Sequence, residues 1–154
     1  GSRIENNPEL TQRIISEHHL IGNHTYSHSK QMGFKSTKGV IEELSQTDQI
    51  IKSFTGAFPK YFRPPFGVTN PNIMRAIRKT KHKVIGWNIR SLDTVIEDEE
   101  KIFLRIKRQL KPGSIILLHD TSDKSIRVLE RLLLYLNEIN YRSVTVEDLI
   151  RLES

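Results

Sequence analysis

Segments with helical periodicity alternate with short apolar segments along the whole chain, and this alternation constrains the fold more than any other feature. The strongest strand signal is the apolar run within residues 114–120, of the kind that is buried on both faces of a sheet. The strongest helix signal follows it over residues 125–140, where leucine and isoleucine recur on one side. Successive strands joined by helices form parallel sheets, so the sequence predicts an α/β fold.

The boundaries of the predicted elements come from periodicity, prolines and glycines. Asn7-Pro8 and Asn70-Pro71 are typical helix starts, and Gly56 is typical of a helix end. Helices are predicted over residues 8–19, 38–54, 71–81, 98–110, 125–140 and 147–152. Strands are predicted over residues 20–23, 83–89, 114–120 and 142–146, with a further strand within 58–67 that ends in a rigid proline loop.

The composition limits the class of protein. A chain of 154 residues is long enough for one domain, and we expect residues 1–154 to form one. No run approaches the ~18 apolar residues of a membrane-spanning helix, so no membrane segment is expected. The absence of cysteine excludes disulfides, thiolate nucleophiles and cysteine-type zinc sites. Any bound metal must therefore use histidine and carboxylate ligands.

The net charge of +6 would suit an anionic partner such as nucleic acid or an anionic wall polymer. The basic residues are, however, distributed over helix-like segments, as in residues 75–81 and 105–108. Such residues usually form the solvated faces of helices. We therefore expect no nucleic-acid function.

Two histidines, His24 and His28, lie four positions apart directly after the apolar run of residues 20–22. On one helical turn, side chains at this spacing share a face with Cβ atoms about 5–6 Å apart, so both rings could bind one divalent ion. Surface histidines also occur at this spacing by chance. The spacing therefore indicates a metal site whose support must come from the neighbouring segments.

Three further polar residues follow predicted strands, where the chemistry of α/β folds collects. His119 could act as an acid, with Asp93 holding its ring, although a loop histidine and a turn aspartate fit the pattern equally well. Arg63 could orient a carboxylate through a bidentate pair, or lie on the surface. Phe66 and Trp87 fit a hydrophobic core or the walls of a sugar site.

Taken together, these motifs resemble the polysaccharide deacetylases, carbohydrate esterase family 4, which remove acetyl groups from chitin-like or peptidoglycan sugars. Residues 22–28, Gly-Asn-His-Thr-Tyr-Ser-His, are similar to the histidine metal motif of that family. Residues 63–67, Arg-Pro-Pro-Phe-Gly, are similar to its arginine and groove-wall motif, and residues 117–120 to its leucine-x-histidine motif. Residues 87–94 match in part, since the family has an aspartate at Arg90 and commonly a tryptophan at Thr94.

The resemblance implies a distorted parallel (β/α) barrel and a metal-dependent carbohydrate deacetylase acting on N-acetylglucosamine-containing polymers or oligomers. It implies zinc, or another divalent ion such as cobalt, nickel or manganese, bound by His24 and His28. His119 would be the general acid, supported by Asp93, with Arg63 completing the catalytic set. The backbone N–H near Phe66 would hold the oxyanion. Substrate would be bound by Pro65, Phe66, Trp87 and Leu117.

One family motif has no match here: the Asp-Asp-Gly sequence that supplies the catalytic base and the third metal ligand. The aspartates lie at positions 48, 93, 98, 120, 123 and 148, none in such a context. We therefore expect a barrel without its first two strands, weak or absent activity of this chain alone, and self-association through an exposed sheet edge. The alternative function is a non-catalytic carbohydrate-binding or scaffold domain. The substrate class favours the cell envelope over the cytoplasm.

Overall fold

A computed structural model describes residues 1–152 of the chain. The described residues form two compact units, residues 1–86 and residues 87–152. Each unit contains helices and one parallel pair of very short strands. No helix among the described residues combines the length and the apolar character needed to cross a membrane. The predicted α/β class with parallel strands is confirmed.

The first unit contains four helices and two strands. They are α1 (Ser2–Asn6), α2 (Pro8–Ser16), α3 (Thr37–Thr55), β1 (Tyr61–Phe62), α4 (Pro71–Thr80) and β2 (Lys83–Val84), with 3-10 turns at Met32–Phe34 and Pro65–Gly67. The side chain of Ser36 caps α3, and Gly56 ends it with a left-handed φ of 77°. The side chain of Asn70 caps α4, whose first residue is Pro71.

The core of the first unit lies between α3, α4 and β1. Phe62 of the strand is 1% exposed, and it packs with apolar residues spaced at helical intervals on the two helices. The cluster consists of Met32, Val40, Leu44, Phe62, Ile73, Ala76 and Ile77. Strand β1 pairs in parallel with β2, and on its other side Phe62 forms a single parallel bridge with Asn23. This bridge places the histidine segment beside the carboxyl end of β1.

The second unit contains β3 (Ile89–Arg90), α5 (Glu99–Gln109), β4 (Ile116–Leu117), α6 (Asp123–Glu138) and α7 (Val146–Leu152). Strands β3 and β4 are parallel, with Ile89 opposite Ile116 and Arg90 opposite Leu117. The core is a cluster of Ile89, Ile102, Ile106, Val128 and Leu132. The side chains of Asp98 and Ser122 cap α5 and α6.

The helices were predicted better than the strands. The predicted strand over 83–89 is two separate strands, each paired with a different partner, and residues 141–145 form no strand. The predicted strand over 20–23 is reduced to the bridge at Asn23. The run within 114–120 has only two residues in a strand, and its apolar side chains are half-buried instead of buried. Asn7 precedes α2 as predicted, but its side chain donates to the Arg3 carbonyl and does not cap the helix.

Candidate functional site

The segment that carries His24 and His28 is a loop and not the helical turn that the spacing suggests. Thr25 and His28 have left-handed φ angles of 69° and 50°, which no right-handed helix contains. Side chains replace helical hydrogen bonds: the Thr25 N–H donates to Asn23 Oδ1 at 2.8 Å, and the His28 N–H donates to Thr25 Oγ1 at 3.2 Å. A left-handed β-branched residue costs about 1–3 kcal/mol and persists only where its surroundings enforce it.

The two imidazoles nevertheless meet. The ring centroids of His24 and His28 lie 4.8 Å apart with an interplanar angle of 61°. The ring of Phe66 contacts His28 in the same edge-to-face manner at 4.9 Å. Phe66 is 58% exposed and has a left-handed φ of 58° within the 3-10 turn. We call His24, His28 and Phe66 the histidine cluster.

His24 is fixed in one tautomer by the backbone. Its Nδ1 donates to the carbonyl oxygen of Arg63 at 2.5 Å, so the lone pair available for a ligand is on Nε2. Burial lowers the pKa of His24, and the hydrogen bond to the uncharged carbonyl only partly opposes this effect. The ring is therefore kept neutral, as a metal ligand must be.

Arg63 lies directly after β1, and its side chain binds the backbone of residues 85 and 86. Its Nε donates to the carbonyl of Ile85 at 3.2 Å, and its Nη2 donates to that of Gly86 at 3.1 Å. Its own carbonyl receives the bond from His24. These contacts make Arg63 a positioning residue for the histidine cluster, and the bidentate pairing of Arg63 with a carboxylate stays a prediction.

Glu43 on α3 binds the histidine loop through hydrogen bonds. Its carboxylate accepts hydrogen bonds from the backbone N–H groups of Tyr26 and Ser27 at 3.0 and 2.9 Å, and from Ser27 Oγ at 2.8 Å. Lys35 Nζ lies 3.1 Å from the same carboxylate. Burial opposes ionisation of Glu43, but these bonds and the lysine lower its pKa. An ionised Glu43 therefore fixes the two residues that precede His28.

The second unit contains the other predicted pair, Asp93 and His119. His119 Nδ1 lies 2.9 Å from Asp93 Oδ1, and the backbone N–H of His119 donates to Asp93 Oδ2 at 2.7 Å. The carboxylate is fully buried, whereas 41% of the His119 side chain is exposed. An ionised carboxylate only accepts, so Nδ1 carries a proton and Nε2 is the ring nitrogen available for proton exchange.

Two serines complete the shell around Asp93. Ser91 Oγ donates to Oδ1 at 2.7 Å and Ser125 Oγ, from α6, donates to Oδ2 at 2.9 Å. Burial alone would raise the pKa of Asp93, but the four hydrogen bonds from His119, Ser91 and Ser125 outweigh it and lower that pKa to about 2. We call Asp93, His119, Ser91 and Ser125 the carboxylate cluster.

The remaining predicted residues divide by exposure. Pro65 is buried beside exposed Phe66 in the first unit. Leu117 is half-buried in β4, where its carbonyl accepts the Ser91 N–H at 3.3 Å. Trp87 is half-buried just before β3. Their roles in binding a substrate stay predictions.

Several polar partners were missed by the sequence reasoning. The position of His82 just after a helix end favours a surface residue, yet His82 is 8% exposed and contacts Asp48 and Thr80. Glu43 and Ser125 lie on amphipathic helices, where polar residues normally face solvent. Ser91 could have been found, since it lies two positions before Asp93 at a predicted strand end.

The histidine cluster fits a divalent ion by its donor chemistry. His24 is neutral with its Nε2 lone pair available, and His28 brings a second imidazole to the same place. Protein zinc sites normally have three or more protein ligands. Residues 1–152 contain no group of three or more histidines or carboxylates arranged to hold one metal ion. The described residues therefore offer two imidazoles, those of His24 and His28, as ligands at this place.

Comparison with known proteins decides the family. The family model for polysaccharide deacetylase matches residues 1–85, more than half of the chain. The chain belongs to the polysaccharide deacetylase family. The matched part includes the histidine cluster and ends just after β2.

Individual relatives agree with this membership. Peptidoglycan-N-acetylglucosamine deacetylase PgdA from Listeria monocytogenes is 28% identical over 149 residues, which is 97% of this chain but only 31% of the Listeria protein. The structure of peptidoglycan deacetylase PdaC from Bacillus subtilis superimposes with a TM-score of 0.92 at 28% identity, over 99% of this chain and 74% of that chain. A family 4 carbohydrate esterase from Streptomyces lividans, solved with acetate, gives a TM-score of 0.83 at 27% identity, over 92% of this chain and 72% of that chain.

Proposed function

We propose that this chain is part of a metal-dependent carbohydrate deacetylase that removes acetyl groups from the N-acetylated amino sugars of peptidoglycan or a similar polymer. The observation that carries the proposal is the occurrence, in one deacetylase-family chain, of two adjacent imidazoles, His24 and His28, and of a histidine held by a carboxylate. The names of the relatives, which include peptidoglycan deacetylases, support the substrate class.

His24 and His28 would hold the metal, which we propose to be zinc or a similar divalent ion. When bound there, such an ion would supply Lewis-acid polarisation of the acetyl carbonyl. The chain's own contribution is to present His24 as a neutral ligand with Nε2 free, through the Arg63 carbonyl. The family resemblance assigns the base and the third ligand to an aspartate pair, and we assign these two roles to no residue of this sequence.

His119 would act as the general acid. Hydrolysis breaks the bond between the acetyl carbon and the sugar nitrogen, and the departing amine needs a proton. Because Nδ1–H is bound to Asp93, Nε2 is the nitrogen that first takes up a proton, which forms the imidazolium, and then passes it to the amine. Asp93 is then a positioning residue, whose negative charge also pairs with the imidazolium that forms before transfer.

The walls of the sugar site would come from exposed and half-buried apolar residues. Phe66 presents a largely exposed ring beside His28, which suits stacking on the apolar face of a sugar. We propose Pro65 as the support of that ring, the backbone N–H near Phe66 as a donor to the oxyanion, and Trp87 and Leu117 as further contacts. Arg90 and Thr94, which depart from the family pattern and are exposed, would alter the polar part of the site.

We further propose that the strands of this chain form part of a distorted parallel (β/α) barrel. The parallel pairs β1–β2 and β3–β4 and the structural likeness to PdaC support this architecture. Val84 in β2 is 40% exposed, and we propose that this exposed apolar side chain contributes to self-association. Light scattering of the wild type and of Val84→Lys tests it, since only the wild type is expected to exceed the monomer mass.

The deciding experiment measures acetate release from N-acetylated chitooligosaccharide by the complete natural protein that contains this chain, with and without added Zn²⁺. We expect zinc-dependent release that His24→Ala abolishes. His19→Ala is the matched control, because His19 is an exposed histidine outside the site and its loss should change nothing. A protein that binds the sugar, takes up no stoichiometric divalent metal and releases no acetate would instead be a carbohydrate-binding or scaffold domain.

A further inference from the structure

A largely buried polar network contacts the start of the histidine loop in the first unit. It joins α3, the start of the histidine loop and the residues that follow α4, through Asp48, Asn23 and His82. We propose that Asn23, Asp48 and His82 act together as positioning residues that hold the His24–His28 loop in its strained, ligand-ready shape. This inference rests on the proposed function, because it concerns the same metal site.

The charge and geometry of Asp48 fix the direction of the network. Its Oδ1 accepts from Asn23 Nδ2 at 2.7 Å and lies 3.1 Å from His82 Nε2. A carboxylate cannot donate, so His82 Nε2 must carry the proton of that bond. The His82 side chain is 2% exposed, and its Nδ1 lies 2.8 Å from Thr80 Oγ1. Both ring nitrogens of His82 are thus engaged, and the ring has one orientation.

The network sets the orientation of the Asn23 amide. Asn23 is 1% exposed, and its Nδ2 donates to Asp48 and to the carbonyl of Leu44 at 2.9 Å. Its Oδ1 must then point the other way, where it accepts the N–H of Thr25 at 2.8 Å. Without Asp48 the Asn23 amide would keep only the Leu44 carbonyl as an acceptor for its Nδ2.

Thr25 links the Asn23 amide to the two histidines through its backbone and its hydroxyl. Its left-handed backbone, φ 69°, turns the chain between His24 and His28, and its Oγ1 accepts the His28 N–H at 3.2 Å. The Thr25 side chain and backbone are 1% exposed, so water does not offer its N–H an alternative acceptor. The position of both rings therefore depends on the Asn23 amide. Partners that orient metal ligands typically change metal affinity 10–100-fold when they are removed.

The test uses the complete natural protein, with Zn²⁺ alone as the probe, and compares two substitutions of one residue. Asp48→Leu removes the acceptor for Asn23 and His82, and we expect Zn²⁺ affinity to fall at least about tenfold. Asp48→Asn keeps an oxygen that can accept both bonds, so we expect its affinity to stay within about threefold of the wild type. Ile77→Ala is the control: it destabilises the same unit through the core, and its affinity should be unchanged.

A second readout does not need metal. Amide hydrogen exchange at Thr25 reports whether its N–H is still held by Asn23 Oδ1; we expect faster exchange in Asp48→Leu and wild-type exchange in Asp48→Asn. If Asp48→Leu does not fold, the pair His82→Leu and His82→Gln replaces it, since only glutamine can still donate to Asp48. Wild-type zinc affinity and wild-type Thr25 exchange in the leucine variants would overturn the proposal. A wild type that binds no zinc would count against the proposed function, while the Thr25 exchange would still decide the positioning role.

Discussion

The histidine cluster and the carboxylate cluster each contain a histidine whose Nδ1 is engaged, but the acceptors differ. His24 donates to an uncharged backbone carbonyl, whereas His119 is held by a buried, ionised carboxylate. Both acceptors select the tautomer that leaves Nε2 free. Only the carboxylate also offers a charge to pair with an imidazolium. The acceptor bound to Nδ1, more than the ring itself, therefore suits His24 to the proposed metal binding and His119 to the proposed proton transfer.

The largest expected effect comes from removing the proposed acid. In the complete natural protein, His119→Ala should lower kcat for acetate release by about 10²–10⁴-fold, the usual contribution of general acid catalysis. Zinc affinity should remain that of the wild type, because the histidine cluster is untouched. The control is His18→Ala, because His18 is an exposed histidine that belongs to neither cluster; its kcat should equal that of the wild type. A His119→Ala protein with wild-type kcat would show that His119 is not the general acid.

The next effect is on stability and its dependence on pH. Asp93 has a pKa of about 2 in the folded protein against an ordinary value of 3.8, so its ionised form stabilises the fold above about pH 4, and that stability is lost as pH falls toward 2. The shift corresponds to roughly 2 kcal/mol. The free energy of unfolding of Asp93→Asn should therefore be lower than that of the wild type at neutral pH, and the difference should shrink over this window.

Urea denaturation at a series of pH values measures that difference. Val128→Ala serves as the control, because it removes buried apolar volume from the same unit without changing a charge. Its difference from the wild type should not vary between pH 4 and pH 2. A difference for Asp93→Asn that is equally constant would contradict the ionised, hydrogen-bonded carboxylate.

The smallest effect is expected from a single member of the carboxylate shell. Ser125→Ala removes one of four hydrogen bonds to Asp93 and should lower the free energy of unfolding by about 1 kcal/mol. Ser53→Ala, on an exposed part of α3, should have almost no effect. Zinc affinity should stay unchanged in both variants. An altered zinc affinity in Ser125→Ala would mean that the clusters are energetically coupled.

Local signals decided how much of the fold could be predicted. Helices α3, α4 and α5 have caps at Ser36, Asn70 and Asp98 together with a sustained apolar period, and these signals act within a few residues. The strands are two residues long, and their existence depends on pairing with distant segments. The apolar run over residues 83–89 therefore could not reveal that it divides into two strands with different partners.

The same division holds for the candidate sites. The motif residues His24, His28, Asp93 and His119 were identified from the sequence, and the structure forms the two expected histidine pairings within its units. The helical turn suggested by the spacing of His24 and His28 was wrong. The left-handed Thr25 and the bond from its N–H to the Asn23 side chain make this segment a loop. Two of the residues that hold the clusters, Glu43 and Ser125, lie on helices distant in sequence from the histidines. No local pattern marks such a residue as different from an exposed one.

We propose that His24 and His28 bind metal while His119 does not. NMR can follow the ring nitrogens of the six histidines of this chain while Zn²⁺ is added to the metal-free complete protein. We expect the Nε2 signal of His24 and a ring-nitrogen signal of His28 to shift together and saturate at one equivalent, while the Nδ1–H signal of His119 stays in place. Saturation with His119 shifted as a ligand, or with His24 and His28 unmoved, would contradict it.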